Sequence, residues 1–199
     1  RPEKLSNTMK NIAIIYFSAA GHTQQLALAI AEGARTVPQT NAILLKIENA
    51  DFREGRWKND ETIANLDRAD TIVFGSPTYM GGLAAQFKAF IDACGGIWYE
   101  QRWKNKLAAG FTHSQGLSGD KLNSLQGLAI NAMQHGMIWV SLGTRPEGSS
   151  HEQLNRLGAY IGLMAQSEAD QVNLFEGDRQ TAKLFGQRIA DATHRWNRT

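Results

Sequence analysis

Six residues, Ser18-Ala19-Ala20-Gly21-His22-Thr23, follow the apolar run IAIIYF and carry a hydroxyl at each end with a glycine between. A strand that stops in small residues and then opens a helix is a ready anion site. The free N–H groups of the first helical turn point outward, and the helix dipole favours negative charge there. Small side chains at 18–21 let the backbone approach an anion closely, and Ser18 and Thr23 add hydroxyl donors. The run is not G-x-G-x-x-G, and no lysine stands ready for a β- or γ-phosphate, so dinucleotide and triphosphate turns are disfavoured. Two readings remain: a phosphate monoester held by neutral donors, or a plain helix start capped by Ser18.

Two more loops bear on the choice. The apolar run DTIVFG ends in Ser76-Pro77-Thr78-Tyr79-Met80-Gly81-Gly82, and LAAGF ends in Thr112-His113-Ser114-Gln115-Gly116. The glycines expose backbone N–H groups, while Tyr79 and Met80 offer a flat, polarisable wall. A planar ring with polar edges would suit both. In a doubly wound sheet, ligands bind at the carboxyl ends of strands, where the strand order reverses. Three donor-rich strand ends on one rim favour a ligand over a bare cap.

The elements that must position these loops follow from periodicity. Residues 11–17, 42–47, 70–75, 107–112 and 137–142 read as short buried strands of the parallel kind. Helices are expected from His22 to Pro38, over 61–67, from Leu83 to Cys94, from Leu122 to Ala132 and over 178–196. Residues 48–60, 76–82, 95–106 and 143–170 read as loops, with a short helix at 151–157. This alternation predicts a doubly wound α/β three-layer sandwich whose five parallel strands take the order 2-1-3-4-5. Residues 1–8 read as an N-terminal extension and 9–199 as a single domain.

Composition bounds the function. The chain has 199 residues, 42% of them hydrophobic and 20% charged, with a formal net charge of +2. That is an ordinary globular composition with no basic field for nucleic acid. The single cysteine, Cys94, rules out an intrachain disulfide and a multi-cysteine metal site, so no metal is expected and a reducing cytoplasm is the expected compartment. No apolar run reaches the ~18 residues of a membrane span, and the polar start RPEKLSNTMK lacks a secretory h-region. Cys94, Trp139 and Trp196 read as core, and His151 and His194 as exposed.

SAAGHT resembles the S/T-x-x-G-x-T phosphate loop of flavodoxins. The stretches GSPTYMGGLAAQFKAFIDACGGIW, THSQG and AMQHGM resemble one flavodoxin-like branch, the tryptophan repressor-binding protein (WrbA) family of FMN-dependent NAD(P)H:quinone oxidoreductases. The resemblance covers 10–142 well and 158–192 more loosely. It implies a flavodoxin-like fold, tightly bound FMN, NAD(P)H as electron donor, a quinone-like acceptor and a homodimer or homotetramer. By this resemblance Ser18, His22 and Thr23 face the FMN phosphate, with Ala20 and Gly21 giving N–H groups. Pro77, Thr78, Tyr79, Met80 and Gly81 edge the isoalloxazine. Thr112, His113, Ser114, Gln115 and Gly116 wrap its pyrimidine side and ribityl chain. His135 lies at the flavin edge, and Trp98 shapes the nicotinamide or quinone site. The chain departs from the family at Tyr79 and Met80, where an arginine and an aromatic are usual, and in a third loop poorer in glycine.

The leading expectation is therefore a two-electron oxidoreductase working by ping-pong exchange of NAD(P)H and a quinone. The rivals are a one-electron carrier and an FMN-binding module with little turnover. Small carriers are usually strongly acidic, which this chain is not.

Overall fold

A computed structural model describes residues 8–168, 171 and 173–196. Except for Thr8, the expected extension at 1–8 lies outside the described residues. In chain order the main elements are β1 (Lys10–Tyr16), α1 (His22–Arg35), β2 (Thr40–Lys46), β3 (Phe52–Arg53), β4 (Arg56–Trp57), α2 (Asp60–Arg68), β5 (Thr71–Tyr79) and β6 (Gly82–Leu83). There follow α3 (Ala85–Ala93), α4 (Gly95–Tyr99), β7 (Leu107–Ser114), α5 (Lys121–Gln134), β8 (Ile138–Trp139), β9 (Leu163–Gln166) and α6 (Glu176–Trp196).

Strand alternation sorts the core. Ile12, Ile14 and Tyr16 point to the layer of α1 and α6 with Leu26, Ile30, Phe185 and Ile189. Ala13, Ile15 and Phe17 point to the opposite layer with Phe74, Phe87, Phe90, Leu125 and Leu128. A strand buried on both faces must be apolar throughout, which is why β1 and the first half of β5 read as continuous hydrophobic runs. On the first layer α1 and α6 touch backbone to backbone. A Cβ added at Gly33 would sit 1.9 Å from the Lys183 carbonyl oxygen, and one at Gly186 would sit 2.0 Å from that of Ile30.

The central sheet runs β2-β1-β5-β7-β8, with the pairs β1–β2, β1–β5, β5–β7 and β7–β8 all parallel. This is the expected order 2-1-3-4-5, but the sheet has seven strands rather than five. Two features account for the difference. First, the fifth position is shared. Strand β8 pairs with Leu107 and Ala108, and β9 pairs with Phe111 to Ser114. Residues 140–162 leave the sheet between the two halves. The Trp139 indole lies over Gly110, where a Cβ would come 2.7 Å from the ring, and its Nε1 donates to the Ile161 carbonyl at 2.7 Å, tying the halves together. The expected strand 137–142 is therefore short, and the expected helix at 151–157 is a series of turns.

Second, β5 continues through the expected loop to Tyr79 and folds back as an antiparallel hairpin with β6. Both tip residues, Met80 (φ 48°) and Gly81 (φ 76°), are left-handed. That is the two-residue turn whose twist suits a hairpin. The expected loop 48–60 likewise contains the small hairpin β3–β4, and 95–106 contains the short helix α4.

Two burial expectations are corrected. Trp196 is half-exposed rather than core, because its indole stays at the surface to donate to the Asn105 carbonyl. His194 is buried rather than exposed, its Nε2 3.0 Å from the Thr40 hydroxyl. Trp103 is fully buried and belongs to the core. Cys94 is buried as expected, and burial pushes its thiol up to about 12, far from thiolate.

Candidate functional site

The carboxyl ends of β1, β5 and β7 meet at one rim and enclose a cleft of about 830 Å³. It lies at the sheet position where strand order reverses, between β1 and β5. Ser18, Ala19, Ala20, His22 and Thr23 line one side, Pro77 to Gly81 another, and His113 to Gly116 with Gly119 and Asp120 a third. The volume is in the range of small-molecule and cofactor clefts.

The first loop turns on Gly21, whose φ of 95° is left-handed and favours glycine. The Ser18 hydroxyl oxygen accepts from the Gly21 and Gln24 N–H groups, each at 3.2 Å. Ser18 thus caps α1 and keeps its own hydroxyl hydrogen to donate. Among the described residues the N–H groups of Ala20, His22 and Thr23 have no protein acceptor, as the start of a helix requires. A phosphate fits this set: several donors, close backbone approach and no competing carboxylate in the loop.

The second wall is the hairpin. Ser76, fully buried, accepts from the Ala84 N–H and fixes the return strand. The Asn123 amide on α5 donates to the Gly81 carbonyl at 2.8 Å and pins the tip. Tyr79 is half-exposed, and Met80 projects wholly into solvent at a left-handed position uncommon for a side chain. Burial pushes the Tyr79 phenol above its ordinary value, so it stays a neutral donor. Thr78 and Thr112 bond each other at 2.7 Å, and Thr78 also bonds Ser124. Thr112 is fully buried beneath the rim rather than in the cleft, so its role there is support.

The floor carries two histidines. The His22 and His113 rings stack at 4.6 Å with planes 1° apart, joining the first and third loops. His22 Nε2 lies 2.6 Å from the Gln171 carbonyl, and His113 Nε2 lies 2.9 Å from the Ser167 hydroxyl. Burial first, then the neighbouring His22 and Lys121, hold His113 down at about 3, so it is neutral at working pH.

Two predicted residues lie elsewhere. His135 caps the far end of α5, whose 14 residues separate it from the cleft by about 20 Å at 1.5 Å per residue. It is buried against Trp103, with ring centroids 4.6 Å apart. His135 and the half-exposed Trp98 share a second hollow of about 410 Å³ with Cys94, Leu83 and Ile130. Neither residue lines the cleft of its own chain. Conversely, Ala19, Gly119 and Asp120 line the cleft without having been singled out. The signal for the last two was the turn-forming composition of HSQGLSGD beyond Gly116.

Fold and cleft together define a doubly wound α/β protein with a donor-rich cleft at the switch point, the flavodoxin-like class. The chain belongs to the NADPH-dependent FMN reductase family, which matches residues 11–150, and it is a flavoprotein oxidoreductase of that family. It is 41% identical over 188 residues to flavodoxin FldP of Pseudomonas aeruginosa, covering 92% of this chain and 96% of that one. It is 32% identical over 204 residues to an NAD(P)H dehydrogenase (quinone) of Archaeoglobus fulgidus, covering 94% and 99%. Among solved structures, a flavodoxin, WrbA-like protein from Agrobacterium tumefaciens superimposes with a TM-score of 0.74 at 42% identity, covering 94% of this chain and 98% of that one. The resemblance to the WrbA branch read from the loops is thus borne out. No helix among the described residues is long and apolar enough to cross a membrane.

Proposed function

We propose that the protein binds FMN tightly in the rim cleft and passes two electrons from NAD(P)H to a quinone-like acceptor by a ping-pong mechanism. The observation that carries this is the convergence of three donor-rich strand ends on one cleft. Names of relatives as NAD(P)H dehydrogenase (quinone) support the donor and acceptor. Bound FMN supplies the hydride acceptor and electron store. The protein's own part is placement. Ser18, His22, Thr23 and the N–H group of Ala20 take the phosphate, while Gly21 supplies the turn and spends its own N–H on Ser18. Pro77, Thr78, Tyr79, Met80 and Gly81 flank the ring. His113, Ser114, Gln115 and Gly116 border its pyrimidine side, with Thr112 bracing Thr78 from below. One open face serving both substrates in turn is what makes the exchange ping-pong.

His135 and Trp98 keep a place in this reading only across a subunit contact, where one chain's hollow meets another chain's cleft in a homodimer or homotetramer. We place the activity in the cytoplasm, in keeping with the single buried cysteine. The test is steady-state velocity with NADPH and benzoquinone varied together on the FMN-loaded protein. Parallel double-reciprocal lines support exchange at one face, and intersecting lines refute it. A second reading, a one-electron carrier, is favoured by the relative named flavodoxin FldP. It predicts no turnover with either nicotinamide.

A further inference from the structure

Lys121 opens α5 at the edge of the cleft and is 1% exposed. Burying an ammonium is costly unless every N–H finds an acceptor. Its Nζ donates to the Ser114 hydroxyl at 2.9 Å, the Gly116 carbonyl at 2.6 Å and the Leu117 carbonyl at 3.0 Å. The adjacent carbonyl, that of Gln115, accepts from the Gln166 amide at 3.0 Å. Gln166 in turn accepts from Arg156, which is paired with Asp178 in a bridge buried on both sides. Three consecutive carbonyls, at 115, 116 and 117, are therefore drawn inward.

A trans peptide places its C=O and N–H on opposite sides. Drawing those carbonyls inward turns the N–H groups of Gly116, Leu117 and Ser118 outward, and among the described residues none of the three has a protein acceptor. The same loop borders the cleft through Ser114, Gln115 and Gly116. We propose that Lys121 is a positioning residue for the flavin: its buried ammonium holds the 114–117 loop so that the N–H groups of 116–118 present a donor row to the bound ring, and loss of its proton loosens that row. The inference rests on FMN occupying the cleft.

The charged neighbours fix the sign. Burial lowers Lys121 to about 8, with Asp178 on α6 raising it and Arg156 lowering it. Asp120, the N-cap of α5, immediately precedes it, and His113 on β7 is held neutral. Below pH 8 the ammonium fills three acceptors. Above it the amine has two N–H groups for the same three, so one loop bond is lost. FMN affinity falls as pH rises through about 8. Tyr79 and His113 do not titrate in that window. The phosphate monoester is already dianionic above its second pKa of about 6.

The test is FMN affinity by fluorescence quenching between pH 7 and 9.5 for the wild type, Lys121→Met and Lys121→Arg. The wild type is expected to weaken on the order of tenfold across the window, the worth of one charge-assisted bond. Lys121→Met should bind on the order of tenfold more weakly at pH 7, with a flat profile. Lys121→Arg keeps its charge throughout and should regain part of the affinity, also with a flat profile. A flat wild-type profile overturns the proposal, as does Lys121→Met matching the wild type at every pH. If Lys121→Met fails to fold by circular dichroism, the wild type against Lys121→Arg decides: equal pH dependence in the two refutes it. A wild type that takes up no FMN refutes the reading of the cleft itself, which is a separate failure.

Discussion

Replacing Ser18 with alanine separates the two jobs that the structure gives this side chain. Its oxygen accepts from the Gly21 and Gln24 N–H groups, so its loss uncaps α1. That costs about 1 kcal/mol of stability, or a fall of roughly 2–4 °C in melting temperature for a domain of this size. In the proposed function its hydroxyl hydrogen is the one left to donate to the FMN phosphate. A hydrogen bond to a charged group is worth ~1.5–3 kcal/mol, roughly 10- to 150-fold in affinity. Riboflavin lacks the phosphate and serves as the internal control. Fluorescence titration of the apoprotein with FMN and with riboflavin, on both variants, forms a double-mutant cycle. FMN binding should drop by that factor while riboflavin binding changes little. Equal losses for the two ligands would show that Ser18 is a cap only and that no phosphate sits there.

Three further outcomes follow from the packing. His113 is held at about 3 in the fold against an ordinary 6.5. A lowered histidine contributes stability that is present above pH 6.5 and lost as pH falls towards 3, at up to ~1.4 kcal/mol per pH unit; denaturant midpoints against pH should show this acid limb, and His113→Gln should flatten it. Gly186→Ala would place a Cβ 2.0 Å from the Ile30 carbonyl oxygen, so urea unfolding should show a loss of about 3 kcal/mol, whereas an uncrowded helix site would gain ~1 kcal/mol from the same change. Asp178→Asn leaves the buried Arg156 without its counter-charge, and removing one partner of such a pair costs ~3–5 kcal/mol; a loss under about 1 kcal/mol would show the pair to be hydrated.

Much of this was legible in the sequence because parallel strands buried on both faces write continuous apolar runs. β1, the start of β5 and β7 each fall within a residue or two of their expected bounds, and with them the three strand ends that make the cleft. What escaped was structure built from pairing rather than from pattern. SPTYMGG carries turn residues, yet Ser76 and Pro77 still extend beside β7 and Thr78 and Tyr79 beside β6, and only Met80 and Gly81 turn. LMAQ is too short to announce a strand, and its place beside Phe111 to Ser114 depends on residues 140–162 leaving the sheet and returning. Nothing in the sequence around Lys121 shows that the 114–117 loop folds over its side chain. The motif that suggests a flavin-edge role for His135 does not say that the histidine ends α5, away from the cleft of its own chain.

The most direct test of the central claim is anaerobic reduction of the FMN-loaded protein by NADPH and by NADH, followed by absorbance, and then addition of benzoquinone. The account predicts that at least one nucleotide bleaches the flavin in a single step, without a long-lived radical band, and that the quinone restores the oxidised spectrum in full. No reaction with either nucleotide, together with a persistent radical band on stepwise dithionite reduction, would contradict it and make the protein a one-electron carrier.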